Sequence, residues 1–285
     1  MYTPSNLARG LTLLALAGPL ALFAGCRDVV TSAAGGREGT SAAAAARGPG
    51  YLLPEERPDS VALIPPPPAP GSPEYAADEA IYRELSALQG TARWRLAAAD
   101  ANLKFPGAAN VFACAVGLNV TEAATPRLYV LLQRTVIDAG QSTYKAKEKY
   151  RRDRPFEVTG DPTCVPEDEQ VLRGNASYPS GHASLGYVWG EVLAELAPDR
   201  AAAARARAYQ FGQSRVVCRV HRQSDIDAGR IVGQAVFERL HQDAEFVADM
   251  AAAKVEVKKA RRYGPPAGRD CRAEAAALQA TGPAQ

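Results

Sequence analysis

Hydrophobic and polar residues recur along most of this chain at helical spacing. The segment "TPRLYVLLQRTVIDAG" sets Leu128, Leu131, Leu132 and Thr135/Val136 three and four residues apart, one stripe of a 3.6-residue period. Thr125 stands as its N-cap, Pro126 takes the first helical position and Gly140 marks the end. "SPEYAADEAIYRELSALQG" opens on a Ser-Pro-Glu start signal and closes on Gly90. "HASLGYVWGEVLAELAPDR", ending before Pro198, and "AAAARARAYQFGQS" continue the theme. "SDIDAGRIVGQAVFERLHQD" starts on Ser224 with Asp227 three residues on, close to a capping box. "AEFVADMAAAKVEVKKARRYG" predicts a last long helix, and no run of alternating β-branched residues marks a strand. The pattern predicts an all-α single domain over residues 73–262, followed by a C-terminal tail at 263–285 that Cys271 could staple down.

Two stretches fall outside it. Residues 1–26 carry one basic residue, Arg9, then an apolar run from Leu11 to Ala24. The run is short and Ala/Gly-rich for a membrane span, and small residues end it, which predicts export to the periplasm. Its end, "LFAGC", resembles a bacterial lipobox in which Cys26 is acylated after cleavage, although Phe23 fits imperfectly. Acylation of Cys26 would tether the protein to a membrane face without spanning it; plain periplasmic release is the other reading. Residues 27–72 are low-complexity, "TSAAGGREGTSAAAAARGPG" and then "IPPPPAPGSP", and are expected to form a flexible linker stiffened near Pro65–Pro68.

The bulk numbers then narrow the function classes. Apolar content of 47% and charged content of 22% allow a real core. With 33 basic against 31 acidic residues, a net charge of +2 gives no field that would draw nucleic acid or an acidic membrane surface. Any bound anion must be held by a local cluster of cations. With Cys26 given to the signal or to lipid, Cys114, Cys164, Cys218 and Cys271 remain. An even number permits two disulfides in three pairings, with free buried thiols as the alternative. Their wide spacing and the lack of a Cys-x-x-Cys speak against a zinc site.

Three stretches could carry chemistry. In "KAKEKYRRDRP", Lys147 and Arg154 are seven residues apart, so on one helix they would share a face before Pro155 stops it. Alone this reads as a solvated basic face, yet two cations projected together are also what a phosphate needs. In "SYPSGHASLGYVWGEVL", Pro179 and Gly181 enforce a turn into a helix starting around His182–Ala183. Such a turn offers free N–H groups and a dipole end to an anion, and Ser180 adds a hydroxyl. In "SRVVCRVHRQSD", Arg215 supplies a third cation, and Asp225 can fix the tautomer of His221 so that the other ring nitrogen is free to attack. Two of the chain's three histidines therefore stand beside anion-binding elements, while His241 in "RLHQDAEF" has no such company. Together these residues fit binding of a tetrahedral oxyanion, attack by one histidine and protonation of the leaving group by the other.

Lys-x6-Arg-Pro, Pro-Ser-Gly-His and Ser-Arg-x5-His-x3-Asp, in this order, resemble the tripartite signature of the type 2 phosphatidic acid phosphatase superfamily. "DAGQSTYKAKEKYRRDRPF", "CVPEDE", "SYPSGHAS" and "GQSRVVC" further resemble the bacterial class A non-specific acid phosphatases, over about Tyr75 to Phe246. The resemblance implies a metal-independent, all-helical, exported enzyme without a cofactor, often a homodimer, acting on small-molecule phosphomonoesters. By the same resemblance His221 is the nucleophile that forms a phosphohistidine, Asp225 orients it, and His182 is the general acid and later base. Lys147, Arg154, Arg215, Ser180 and the backbone N–H of Gly181 would hold the phosphoryl oxygens. It also implies pairing of Cys164 with Cys218, leaving Cys114 with Cys271.

The chain departs from the family at Arg222, where members carry an aromatic, at Ala183, where Thr is common, and at Ala176, where Gly is common. Arg222 is expected near the pocket mouth, where it would alter substrate preference. Hydrolysis of soluble phosphomonoesters, with phosphotransfer to alcohols as a companion activity, is the leading expectation. A vanadate-dependent haloperoxidase using the same cradle, and a surface lipoprotein that binds an anion without catalysis, are the alternatives.

Overall fold

The computed structural model describes residues 50–280. Its helices are α1 (Ser60–Leu63), α2 (Pro73–Ser86), α3 (Ala92–Ala101), α4 (Ala113–Val116), α5 (Pro126–Gln141), α6 (Tyr144–Tyr150), α7 (Pro155–Thr159), α8 (Glu169–Arg173), α9 (Gly181–Leu196), α10 (Ala201–Val217), α11 (Gln223–Leu240), α12 (Ala244–Ala260) and α13 (Cys271–Gln279). The fold is all-α, and the described residues contain no strand. None of their helices is long and apolar enough to cross a membrane. The export signal, Cys26 and the linker up to residue 49 lie outside the described residues.

Helix α9 is the axis of the core, packed on by α10, α11 and α5. It is apolar nearly all round, burying Leu185, Val188, Trp189, Val192 and Leu193, as a helix enclosed by neighbours must. The Trp189 indole N–H donates to the Leu132 carbonyl and the Thr135 hydroxyl on α5, both at 3.1 Å, so the large ring leaves no polar atom unpaired. The stripe expected on α5 is the one the core uses: Leu128, Leu131, Leu132 and Thr135 are all buried.

Close approach of α11 to the start of α9 depends on Gly229. A Cβ there would lie 2.4 Å from the Ser180 carbonyl oxygen and 2.9 Å from Ala183 Cβ. Gly229→Ala is therefore expected to destabilise the protein by roughly 1–3 kcal/mol in urea unfolding and to slow turnover, because the displaced backbone is that of the Pro-Ser-Gly-His turn. An alanine variant with wild-type stability and rate would show that the two helices can part freely.

Residues 50–72 are not a free linker. Tyr51 and Leu52 are fully buried, and their N–H groups donate to the two carboxylate oxygens of Asp138 on α5 at 2.9 and 3.0 Å. The Tyr51 hydroxyl reaches Asp249 on α12 at 2.8 Å, and the Arg134 guanidinium lies 3.7 Å from its ring centroid. Past α1, the proline run is held where the Tyr178 hydroxyl donates to the Pro65 carbonyl at 2.8 Å. Two apolar anchors and a buried carboxylate supplied by distant helices decide the outcome over composition. At the other end, α13 is docked by the Cys114–Cys271 disulfide and by Glu274, which pairs with buried Arg207 at 3.2 Å. The second disulfide joins Cys164 to Cys218, so the pairing is the one the resemblance implied.

Candidate active site

The Lys147-to-Arg154 segment reaches the site by two elements, not one helix. Helix α6 ends at Tyr150, Arg151 turns the chain in the left-handed region (φ 45°), and Arg154 is extended (φ −76°, ψ 151°). Pro155 opens α7 instead of stopping α6, since proline suits the first helical position and biases the residue before it to extended backbone. Lys147, buried in the middle of α6, donates from Nζ to the Ala176 carbonyl. Arg154 Nε donates to the carbonyls of Leu172 (3.0 Å) and Asn175 (2.9 Å), and Nη1 to that of Val220 (2.9 Å).

Ser180 caps α9: its hydroxyl oxygen accepts the Ala183 N–H at 3.3 Å, leaving its own O–H to donate elsewhere. Its N–H donates to the Asp225 carbonyl at 2.9 Å, fastening the turn to α11. His182 follows in the first turn of α9. Its Nε2 lies 3.1 Å from the Ala101 carbonyl at the end of α3. A carbonyl only accepts, so in the neutral ring Nε2 carries the proton and Nδ1 the lone pair.

Helix α10 brings Arg215 to its last turn and then reverses. Arg219 adopts φ 65°, a left-handed conformation that costs a non-glycine residue roughly 1–2 kcal/mol. Its side chain holds the turn, donating to Pro162 and Ser86 carbonyls at 3.2 and 3.0 Å. The reversal lets the N–H groups of Val220 and His221 both donate to the Arg215 carbonyl, at 3.1 and 3.3 Å. The Arg-x5-His spacing thus joins a buried guanidinium and an imidazole across one helix terminus.

His221 and Asp225 meet as expected from their spacing. His221 Nδ1 donates to Asp225 Oδ2 at 3.2 Å, so Nε2 bears the lone pair, and it accepts from Arg154 Nη1 at 3.2 Å. Asp225 Oδ2 also accepts the Arg222 N–H at 2.9 Å. Asp225 is thereby the third residue of the α11 cap, the place expected for Asp227, because the cap residue is Arg222 and Ser224 already lies inside the helix. A pocket of about 310 Å3 is lined by Lys147, Arg154, Gly181, His182, Arg215 and His221, with Leu103, Val136, Ile137 and Leu185 as its apolar wall. Ser180 is fully buried at this junction, outside that lining.

A PAP2 superfamily model matches residues 127–245, which hold every one of these polar residues. A non-specific acid phosphatase of Providencia stuartii is 42% identical over 213 residues, 74% of this chain and 86% of the relative. A non-specific acid phosphatase of Salmonella typhimurium is 40% identical, covering 73% and 83%, and an acid phosphatase of Zymomonas mobilis 39%, covering 71% and 77%. The chain belongs to the PAP2 superfamily.

In this PAP2 protein three cations, Lys147, Arg154 and Arg215, line one pocket. Burial, and then Arg154 and Arg215, push the Lys147 ammonium down to about 7. Burial and Arg154 push the Arg215 guanidinium down to about 9, and burial pushes Arg154 down to about 10. Nε and Nη1 of Arg215 are buried and have no hydrogen-bond partner among the described residues. Unpaired buried donors and mutually repelling cations are what a bound anion would relieve. Both histidines are held well below the ordinary value, His182 by burial and then Arg215, His221 by burial and then Arg154. Asp225 is held well below the usual carboxylate range: burial would raise it, but the His221 hydrogen bond and charge and Arg152 outweigh that.

Sulfate, a dianion at every pH of interest, should therefore bind with uptake of a proton by Lys147. Affinity is full below pH 7 and falls as pH rises through the free-state value of about 7, by about tenfold per pH unit for one-proton linkage. Calorimetry in two buffers of different ionisation enthalpy measures this, and Lys147→Met should lessen the slope around pH 7. A flat profile for the wild-type protein would contradict it.

Arg222 does not line the pocket. Its Nε pairs with Glu79 on α2 at 2.9 Å, Nη1 donates to the Asp153 carbonyl at 3.2 Å, and its guanidinium lies 5.3 Å from the Tyr75 ring centroid. The acceptors on α2 and in the loop between α6 and α7 draw it away from the expected position at the mouth. His241 pairs with Glu195 at 3.1 Å, outside the site. The sequence reading missed Arg152, whose Nη1 lies 2.7 Å from Asp225 Oδ1. Its one signal was its place in the same basic run, two residues before Arg154.

Proposed function

We propose that this PAP2-superfamily enzyme is a phosphatase that hydrolyses soluble phosphomonoesters through a phosphohistidine on His221. The observation that carries the reading is the unpartnered Arg215 guanidinium in a buried trio of cations facing the lone pair of His221 Nε2. The phosphoryl oxygens would sit among Lys147, Arg154 and Arg215 with the Gly181 N–H and the Ser180 hydroxyl completing the cradle. Arg154 then exchanges its bond to His221 Nε2 for one to a phosphoryl oxygen, which exposes the nucleophile as substrate arrives.

His221 Nε2 attacks phosphorus, the P–O bond to the alcohol breaks, and the departing oxygen takes a proton from His182 Nδ1. Asp225 stabilises the charge that develops on the His221 ring. A water then attacks phosphorus, gives its proton to His182, and the P–N bond breaks to release phosphate. An alcohol in place of that water gives phosphotransfer. The N-terminal 26 residues support action in the periplasm, with Cys26 as the residue for acylation. The test is release of phosphate from p-nitrophenyl phosphate in EDTA, with acid-labile, base-stable 32P label on the protein after rapid quench. No release from acid to neutral pH would reject the phosphatase reading. Release without label would reject the covalent step alone.

A further inference from the structure

Asp225 is only as good an orienter as its own support, and that support comes from Arg152. We propose that Arg152 is a positioning residue for the His221–Asp225 pair, its guanidinium bridging Asp225 to a corner built by Asp78 and Ser224. The inference rests on the phosphatase reading and adds to it a residue at a position that the first motif leaves unspecified.

The geometry is specific. Arg152 Nη1 donates to Asp225 Oδ1 and to Ser224 Oγ, both at 2.7 Å, and Nη2 to Asp78 Oδ2 at 2.8 Å. Asp78, buried on α2, is itself fixed by the Ser224 N–H at 2.8 Å. The Arg152 side chain is only 8% exposed and Asp225 is fully buried, so this pair is held away from water. Arg152 and Arg154, two residues apart in the loop between α6 and α7, both turn inward, one to Asp225 Oδ1 and the other to His221 Nε2 at 3.2 Å. The loop that delivers a phosphate clamp also grips the far end of the His–Asp pair.

The two carboxylate oxygens are not equivalent. Oδ2 takes the His221 ring N–H and the Arg222 backbone N–H, whereas the donor to Oδ1 is Arg152. Without Arg152, Oδ1 would be a buried anionic oxygen with no side-chain donor among the described residues. The carboxylate would turn to share the remaining donors, and the His221 Nδ1–H tautomer would be less strictly held. The charged and titratable groups around Asp225 are His221, Arg152 and, more distantly, Lys147, Arg154, Tyr178 and Asp78. Removing Arg152 takes away a cation that lowers Asp225, so protonation of Asp225 would move to higher pH.

The test uses the full-length enzyme with Arg152→Gln and Arg152→Lys. Arg152→Gln is expected to lower kcat by about 10²-fold, the scale of an ångström-sized misplacement, with KM nearly unchanged and the acid limb of the rate profile moved to higher pH. Arg152→Lys keeps the charge but cannot span three acceptors, and should fall between. Added guanidinium ion should restore part of the activity of Arg152→Ala, and the His221 Nδ1–H proton resonance should shift in each folded variant. Wild-type kcat and acid limb in Arg152→Gln would overturn the proposal. So would a loss in both variants that follows thermal stability, together with no restoration of Arg152→Ala by guanidinium ion, since that describes a structural residue. Failure of the wild-type enzyme to release phosphate would instead reject the phosphatase reading. The His221 resonance would still report whether Arg152 orients the pair.

Discussion

Replacing His221 with alanine is expected to abolish turnover, by roughly 10⁴-fold or more, while leaving the fold and sulfate binding in place. The separation follows from how the cradle is held. Arg154 is positioned by the carbonyls of Leu172, Asn175 and Val220, and Lys147 by that of Ala176, so neither needs the imidazole. Asp225 keeps its bonds to Arg152 and to the Arg222 N–H, so the truncation leaves no carboxylate stranded. Rapid-quench labelling with a 32P phosphomonoester should give no labelled protein from His221→Ala, and sulfate calorimetry should give an affinity close to wild type. Retained label would place the covalent phosphate elsewhere. A loss of sulfate binding that matches the loss of rate would make His221 part of the cradle and not the nucleophile.

The helical architecture was legible because its signals are local. Pro126, the α5 stripe and the turn into α9 each involve neighbours a turn apart, where spacing is informative. His221 and Asp225 were legible for the same reason, being four residues apart at the entry to one helix. Lys147 and Arg154 share the pocket although the helix first drawn between them does not exist. The Arg151 turn and Pro155 reach the juxtaposition by another route. What could not be read depends on residues far along the chain. Tyr51 and Leu52 look like part of a linker until Asp138, more than 80 residues on, accepts their N–H groups. Arg222 was placed at the mouth because the acceptor that turns it away, Glu79, lies 143 residues earlier. Arg152 stayed hidden inside a basic run, because its acceptors Asp78 and Asp225 lie more than 70 residues away on either side.

His182→Ala is expected to discriminate between leaving groups. Alkyl phosphates should lose roughly 10²–10⁴-fold in kcat, the usual scale of general acid catalysis, because an alkoxide cannot depart without a proton. p-Nitrophenolate is a stable anion, so its departure should be far less affected. The second half-reaction would still lack a base for water. The variant should therefore release one equivalent of p-nitrophenol in a burst and then turn over slowly, which stopped-flow absorbance measures. Equal losses for both substrates, with no burst, would remove His182 from the proton path. The same geometry says when this acid becomes charged. In the free enzyme burial and then Arg215 hold the His182 ring well below its ordinary value, so it is neutral with its proton on Nε2 against the Ala101 carbonyl. A phosphomonoester dianion among Lys147, Arg154 and Arg215 cancels the cationic part of that depression and favours the imidazolium. The added proton goes to Nδ1, because Nε2 is already committed. The acid is thus armed by the substrate it serves: below pH 7, where Lys147 is already charged, the burst should be accompanied by proton uptake from the medium in the wild-type enzyme but not in His182→Ala.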